Sequence, residues 1–372
     1  MELKYYIMRR ILVLIPTVMG LTLLVFLLFN LVPEYMITAG LVSPHFQGAQ
    51  RLQAIKIAEI VYGLTYANGQ PIPIYIRYFL YLKDLLVGNW GFMTSNMFTG
   101  NVLTGIELYF PNTLQLTIFA TIVTFIVSIP LGTYIGARPN SGADQAGRIF
   151  SLTGYAMPAF FLADALVIAF GKYLPIVGSI SPLANPPPWA LSSNGSYLIS
   201  TPTHMFVFDG LIHFFATGNI YDLQIAENAL IHLILPVLTL TYGLLAGVLR
   251  YIRAGMVDSM NQEYVKTARS KGVLEKDVIK KHIRKNALIP TITVMGLLFA
   301  SLLGGVVVVE TVFLYPGIGL FAVNAALGGT AGQLQPQIYG VLGVTLIFGI
   351  ILMLANLVVD VIYALIDPRI RY

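Results

Sequence analysis

The sequence predicts an all-α membrane protein with six transmembrane helices. Three observations support this prediction: 56% of the 372 residues are apolar, only 10% are charged, and the mean hydropathy is +0.76. An ordinary soluble domain carries about 25% charged residues, so this chain has too few charges to cover a surface around so much apolar mass. The composition therefore argues against a soluble enzyme, a disordered chain and a nucleic-acid-binding module.

Six runs are long enough to cross the hydrocarbon layer, which takes about 20 predominantly apolar residues. They lie at 11–32, 114–137, 149–171, 230–248, 287–309 and 338–359. Several contain proline, as at Pro158 and Pro236. Membrane helices tolerate proline where neighbours satisfy the freed carbonyl, so we expect kinks and not breaks. The first run resembles a signal peptide but is too long and lacks a small-residue cleavage site, which predicts a retained signal-anchor.

The distribution of basic residues predicts the orientation. With the N-terminus inside, the inner segments hold 17 of the 22 lysines and arginines, and ten of these lie in the loop 249–286. Because cytoplasmic loops carry the excess of lysine and arginine, we expect a multi-pass protein of the cell (plasma or inner) membrane with both termini cytoplasmic. The net charge of +5 is then an orientation signal, and no nucleic-acid partner is expected.

Two outer segments are long, 33–113 and 172–229. In the first, Tyr75, Phe79, Leu82 and Leu86 recur at helical spacing, which predicts a short amphipathic helix on the outer membrane surface or in a small external domain. In the second, Asn194 begins an Asn-Gly-Ser triplet, a glycosylation candidate that matters only in a host that glycosylates.

The inner loop 249–286 carries apolar residues on one helix face, followed by a glycine. The face contains Met256, Val257, Met260, Tyr264, Val265 and Ala268. Gly272 interrupts the pattern, as glycine does at helix C-termini, and a second short pattern follows at Val278, Ile279 and Ile283. Two short helices around a glycine bend are predicted. They could form a basic loop on anionic lipid or a docking element for a cytoplasmic partner.

At this loop the sequence resembles a known family. The segment EYVKTARSKG at 263–272, followed by RKNALIP at 284–290, is similar to the EAA loop of ABC-importer permeases of the dipeptide/oligopeptide (and nickel) branch. Further blocks resemble that branch in order along the chain: RRILVLIPT at 9–17, GNWG at 88–91, PNTL at 111–114, IPLG at 129–132, MPAF at 157–160, HLILP at 232–236, RYIRAGM at 250–256, VETVF at 309–313, YPGIG at 315–319 and DVIYALIDPRIR at 360–371.

The resemblance implies a first (B-type) permease subunit with the type I ABC-importer permease fold. Its partners would be a second homologous permease, two ATPase subunits that carry ATP and Mg, an external solute-binding protein and the lipid bilayer. The chain would divide into the N-terminus and first span at 1–32, an external region at 33–113, and a permease core of five spans at 114–372. The core includes the external loop 172–229 and the cytoplasmic coupling loop 249–286.

The same resemblance implies which residues contact the ATPase. They are Thr267, Ala268, Arg269, Ser270, Lys271, Gly272, Val273, Leu274 and Glu275. The chain departs from the general EAA consensus at Lys266, where that consensus has glutamate. It also has no charged residue from 311 to 359, where the branch usually carries charges near the outer mouth of the pore.

The chemistry-bearing residues predict transport and not catalysis. No G-x-x-x-x-G-K-[ST] segment is present, so ATP hydrolysis is expected on separate subunits. No catalytic constellation emerges, the five histidines lack metal-ligand spacing, and no cofactor is expected in this chain.

Asp164 is the one acidic residue well inside a predicted span, and an intramembrane carboxylate is a functional candidate by default. It could line the translocation path or make a structural hydrogen bond to a neighbouring helix. Its neighbours could line the path or pack between helices: Met157, Pro158, Phe160 and Phe161. An outer gate is assigned to Glu310, Tyr315, Pro316, Gly317 and Gly319.

The predicted function is half of the pore of an ATP-driven, binding-protein-dependent importer of di- or oligopeptides. An importer of oligosaccharides with the same machinery is the alternative within the class. The alternative from another class is an ion-coupled secondary transporter or a channel that uses Asp164.

Overall fold

The computed structural model describes residues 3–32, 42, 46–61, 63–95, 97–180, 189, 202–328 and 337–366. Within them the chain is mainly helical, with one two-stranded antiparallel sheet. The elements in chain order are α1 Leu3–Leu31, α2 Gly48–Val61, α3 Ile74–Leu86, β1 Phe92–Thr94, β2 Thr99–Asn101, α4 Val102–Gly136, α5 Gly142–Ala156, α6 Ala159–Phe170, α7 Phe206–Thr217, α8 Ile220–Met260, α9 Glu263–Ser270, α10 Glu275–Asp277, α11 Arg284–Val312, α12 Ile318–Leu327 and α13 Ile338–Ile366. A π-helical turn, Val278–Ile283, joins α10 to α11.

Four helices of the described residues are long and apolar enough to cross a membrane. They are Ile7–Leu31, Val102–Gly136, Ile220–Met260 and Ile338–Val361, and they coincide with the first, second, fourth and sixth predicted spans. The fifth predicted span falls in α11, a helix of 29 residues, part of which lies outside the described side chains. The count of six spans stays a prediction.

The third predicted span is two helices, and the expectation of a kink there is wrong. Helices α5 and α6 meet at 104° across Met157 and Pro158. A proline disfavours the helical conformation of the residue before it, and Met157 is accordingly extended at φ −78° and ψ 121°. Because Pro158 also lacks an N–H, no helical hydrogen bond starts there. If this pair counts as one span, the described residues contain up to five.

The chain forms two compact units. Unit 1 consists of Met1–Arg10, Asn112–Tyr315 and Ile351–Tyr372, and unit 2 of Ile11–Pro111 and Pro316–Ile350.

In unit 2 the β1–β2 hairpin packs on α12 and α13. Met93 of β1 is fully buried in a cluster with Phe321 of α12 and Val344 of α13. The backbone N–H of Thr94 donates to the side-chain oxygen of Gln337 at 3.3 Å. These contacts tie residues from the middle and the C-terminal part of the sequence into one core.

Helix α3 confirms that a helix forms over residues 75–86, as predicted, but most of its predicted apolar face is exposed. Phe79 and Leu86 are 68% and 88% exposed. The other side of the helix packs on α1, where the ring centroids of Tyr78 and Tyr81 lie 5.3 and 5.8 Å from that of Phe26. An outward apolar face on a helix that is already anchored suits the membrane-surface alternative better than burial inside an external domain.

In unit 1 the long helix α8 packs against α5, α6, α7 and α11. The approach of α5 is close, because a Cβ built on Gly154 would lie 2.5 Å from the Cβ of Ala246 on α8. The helix also continues beyond the fourth predicted span, which was expected to end at 248. Ile252 and Met256 are fully buried, so the apolar periodicity of the predicted loop extends the helix to Met260.

Candidate functional site

Unit 1 contains a short helix, α9, that is anchored by an apolar face. Helix α9 buries Val265 and Ala268 in a cluster with Met256, Val278 and Ile283. The sequence pattern predicted this face as one helix from Met256 to Ala268, and the structure divides it between two. The division occurs after Met260, because Gln262 adopts an extended conformation, φ −78° and ψ 148°, before α9 begins.

Gly272 closes the end of α9, as the sequence predicts. Its φ is +75°, in the left-handed region that glycine alone adopts without a Cβ penalty. Its N–H donates to the carbonyl of Arg269 at 2.9 Å, and the N–H of Val273 donates to the carbonyl of Ala268 at 3.3 Å. This pair of bonds is the Schellman motif, which satisfies carbonyls at a helix end. No heavy atom lies within 4 Å of a Cβ built there, so backbone conformation and not space favours glycine.

An ion pair spans the same turn. Arg269 donates to Glu275 at 2.7 and 3.1 Å, and these hydrogen bonds lower the pKa of the Glu275 carboxyl. Because both side chains are largely exposed, the pair contributes at most about 1 kcal/mol. It fixes the direction in which the chain leaves the turn.

The predicted ATPase-contacting residues divide into anchors and an outward face. Ala268 is buried and Val273 is half-buried. The outward face is defined as the exposed members: Thr267, Arg269, Ser270, Lys271, Gly272, Leu274 and Glu275. A rigid short helix that buries one side and leaves the other open is suited to receive a partner.

A buried carboxylate that the sequence analysis did not single out ties α5 to α8. Asp144, in the first turn of α5, is fully buried. It forms ion pairs with Arg253 of α8 and, at 2.6 Å, with Arg148 one turn along α5. The backbone N–H of Asn140 also donates to it, at 2.8 Å. Hydrogen bonds from Arg253, then from Arg148, hold the pKa of Asp144 well below its usual range. We call these three side chains the Asp144 clamp.

Part of the clamp has a sequence signal. Ser141 caps α5 by accepting the N–H of Asp144 at 3.2 Å, and Ser-x-x-Asp ahead of an apolar run is a helix-start pattern. Arg148 lies four residues further on, the spacing at which side chains meet on a helix. Arg253 has no such signal, because 109 residues separate it from Asp144.

The predicted path residues lie on or beside α6. Phe160, Phe161 and Asp164 are exposed, whereas Ala163 is fully buried. Pro158 is exposed and Met157 half-buried. In the described part of the chain the Asp164 carboxylate makes no hydrogen bond or ion pair, and both alternatives for its role stay predictions.

The predicted gate residues are divided between the two units. Glu310 is fully buried and accepts a hydrogen bond from Thr113 at 2.5 Å. Tyr315, also buried, accepts one from Gln115 at 3.0 Å, and its N–H donates to the carbonyl of Glu310 at 2.8 Å. The other gate residues belong to unit 2, where Pro316 and Gly317 precede α12 and Gly319 lies inside it.

The two remaining kinds of site are a metal site and a glycosylation site. Among the described residues, no group of three or more His, Asp or Glu is placed to hold a metal ion. The glycosylation candidate Asn194 lies outside the described residues.

Comparison with known proteins gives consistent matches. The family model described as "Binding-protein-dependent transport system inner membrane component" matches residues 128–372. The oligopeptide transport system permease protein AppB of Bacillus subtilis is 32% identical over 371 residues, 99% of each chain. The dipeptide transport system permease protein DppB of Alkalihalophilus pseudofirmus is 34% identical over 371 residues, again 99% of each chain. The probable D,D-dipeptide transport system permease protein DdpB of Escherichia coli is 33% identical over 84% of each.

The Asp144 clamp generates a stability prediction. Asp144→Asn removes the charge that two arginines share, and we expect the free energy of unfolding to fall by roughly 3 kcal/mol, the lower end for a broken buried pair, because both arginines reach solvent. Thermal unfolding of the purified protein in detergent measures this. Because the pKa of Asp144 is lowered on folding, its contribution is present above the unfolded-state value of about 4 and is lost only below it. The clamp contribution should therefore be constant from about pH 5 to 8.

Asp258→Asn is the matched control, an exposed aspartate on α8 whose carboxylate has no ion pair among the described residues. We expect its unfolding midpoint to match that of the unmodified protein. Equal midpoints for Asp144→Asn and Asp258→Asn would contradict a stabilising clamp.

Proposed function

The chain belongs to the family of binding-protein-dependent transport system inner membrane components, and from this premise we propose that it forms half of the pore of an ATP-driven importer of di- or oligopeptides. Membership makes the chain a multi-pass membrane subunit that acts with a solute-binding protein. The observation that carries the mechanistic proposal is helix α9, anchored by Val265 and Ala268 and ended by the Gly272 turn, with its other side exposed.

The proposed assembly contains a second homologous permease, two ATPase subunits with ATP and Mg, and an external solute-binding protein. A separate source of energy is required because this chain lacks a phosphate-binding G-x-x-x-x-G-K-[ST] segment. The exposed polar face of α9 is the proposed contact with one ATPase, through the outward face defined above.

The substrate class follows the relatives. Relatives of this chain are named as permeases for oligopeptides, dipeptides, D,D-dipeptides and glutathione. All of these substrates carry peptide bonds and charged termini. An importer of oligosaccharides remains the alternative with the same machinery, because the residues near the proposed outer mouth lack charge from 311 to 359.

The buried contacts of α9, and not its outward face alone, would transmit movement of the ATPase to the membrane helices. The anchors of α9 pack against Met256 of α8 and against Val278 and Ile283 in the turn that continues into α11. A push on α9 therefore acts on two long helices at once. Rigid-body shifts of packed helices are a recurrent means of switching between two states, here inward-facing and outward-facing pores.

The proposed translocation path includes the exposed side of α6. A charged side chain that faces lipid is costly, so an exposed Asp164 inside a predicted span indicates a water-filled cavity or a partner surface. Phe160 and Phe161 share that exposure. Glu310 and Tyr315, which are both buried in unit 1, would support the proposed outer gate.

The proposed orientation places both termini and the coupling loop 249–286 in the cytoplasm, with 33–113 and 172–229 outside and a core of five spans over 114–372. The bias of lysine and arginine supports it. The chain contains no cysteine, so single introduced thiols report position. In intact cells a membrane-impermeant thiol reagent should label Gln53→Cys and should label Lys276→Cys only after permeabilisation. Both residues are exposed, so the reagent can reach them from the side on which they lie. The reverse labelling pattern would show that the orientation is the opposite of the one proposed.

A second prediction tests coupling at Gly272. Gly272→Val forces a branched side chain into positive φ at a cost of roughly 1–3 kcal/mol, which as an equilibrium shift amounts to about 5- to 150-fold. We expect uptake in proteoliposomes that contain the complete complex to fall by such a factor while the permease still inserts and retains its subunits.

Gly63→Val is the control for this variant. Gly63 also has a positive φ, +64°, and no heavy atom lies within 4 Å of its built Cβ, so the backbone penalty is matched at a residue that belongs to the other unit and to the proposed external region. Unchanged uptake and unchanged substrate-stimulated ATP hydrolysis in Gly272→Val would refute the docking assignment. Retained transport by a purified homo-oligomer without ATPases would favour the secondary-transporter alternative based on Asp164.

A third prediction tests the path. Asp164→Asn keeps the shape of the side chain and removes its charge. A carboxylate about 4 Å from a cation in water contributes about 1 kcal/mol, so the half-saturating concentration for a cationic peptide should rise about fivefold relative to a neutral one. Competition uptake with lysine-containing and neutral peptides measures the ratio, and an unchanged ratio would support a structural role for Asp164.

A further inference from the structure

A pocket of about 270 Å³ opens between α5 and α8 at the inner end of unit 1. Three arginines line it, Arg148 of α5 and Arg250 and Arg253 of α8. The rest of the lining is mostly apolar and includes Leu152 and Leu249. None of these residues belongs to the proposed coupling face, path or gate.

The pocket has a surplus of positive charge. Arg148 and Arg253 share the single negative charge of Asp144. Arg250 is exposed, and its guanidinium carbon lies 5.6 Å from the ring centroid of Tyr155 and 5.5 Å from that of Tyr251. Within the described part of the chain Arg250 forms no ion pair. Three guanidinium groups thus face one carboxylate, which leaves a surplus of two positive charges that would favour an anion at the pocket.

An uncharged depression adjoins this pocket. It has a volume of about 310 Å³ and shares Ile135, Gly147 and Leu249 with the arginine-lined pocket. Its remaining lining, which includes Leu131 and Phe150, contains no charged side chain. The combined site therefore has one basic end and one apolar end, which is the polarity of an amphiphile with an anionic head.

The position of the site suits the edge of a bilayer. It lies where α4 ends at Gly136 and α5 begins at Gly142, at the boundary between the second and third predicted spans. Beside it α5 exposes an apolar stripe, with Ile149, Leu152 and Tyr155 between 63% and 76% exposed. Such a stripe on a membrane protein faces acyl chains, and basic pockets between helices on the cytoplasmic side bind anionic lipid head groups.

We propose that this pocket binds an anionic phospholipid, with the phosphate on Arg250 and Arg148 and one acyl chain in the adjoining depression. A volume of about 270 Å³ is just below the range of about 300–1,000 Å³ for whole small ligands, so it accommodates the head group while the chain occupies the depression. The assignment to the cytoplasmic leaflet rests on the orientation proposed above. The binding itself does not depend on it.

The test uses the complete transporter complex, purified in a neutral detergent. Binding of phosphatidylglycerol and of phosphatidylcholine is titrated by native mass spectrometry. We expect phosphatidylglycerol to bind more tightly, and Arg250→Gln to lower its association constant about fivefold, which corresponds to about 1 kcal/mol for one basic residue near a lipid surface. Arg250→Lys should retain most of the affinity because it keeps the charge. Lys280→Gln, which removes an exposed inner charge outside the pocket, should have no effect.

Any one of the following results would overturn the proposal. They are equal affinities for the two lipids, an unchanged affinity in Arg250→Gln, and displacement of the lipid by millimolar inorganic phosphate, which would identify a phosphate site without a lipid requirement. A complex that binds no phosphatidylglycerol, as when the second permease covers the pocket, also overturns it. Because the readout is binding, its failure is distinct from failure of uptake in the Gly272 experiment.

Discussion

The inner half of unit 1 depends on one helix that is longer than the membrane is thick. At 1.5 Å per residue, the 41 residues of α8 extend about 60 Å, twice the hydrocarbon thickness of about 30 Å. The last turns of α8 provide Arg250, Arg253 and Met256. These residues hold the lipid pocket, the Asp144 clamp and the anchor of α9, respectively. Without these turns the three features would have no common support.

The sequence predicts the features that are local and periodic. The burial of Val265 and Ala268 and the turn at Gly272 follow from an apolar stripe that ends in glycine. The long helices are predicted by the long apolar runs. The family is predicted by the sequence motifs that occur in the same order along the chain. The clamp could not be predicted, because a pattern along the chain does not reveal that Arg253 meets a carboxylate 109 residues away. The outward face of α3 also shows that periodicity identifies an apolar face without showing what covers it.

Two buried polar pairs of unit 1 are hydrogen-bonded, as their apolar surroundings require. The hydrogen bonds that join Glu310 to Thr113 and Tyr315 to Gln115 each contribute only moderately to stability. A buried donor or acceptor left without a partner, however, costs about 1–3 kcal/mol. Such pairs disfavour any alternative helix register that separates them. Together with Asp144, these few polar contacts determine which helix packing is specific. The apolar contacts supply most of the stability.

The break at Pro158 has a mechanical consequence. The Asp144 clamp fastens α5 to α8, whereas α6 packs through Ala163 and carries Asp164 on its open side. Since no helical hydrogen-bond ladder passes through residue 158, torsion applied to α5 does not travel into α6 as it would along a continuous rod. The two segments, which both pack against α8, therefore hold separate directions, 104° apart.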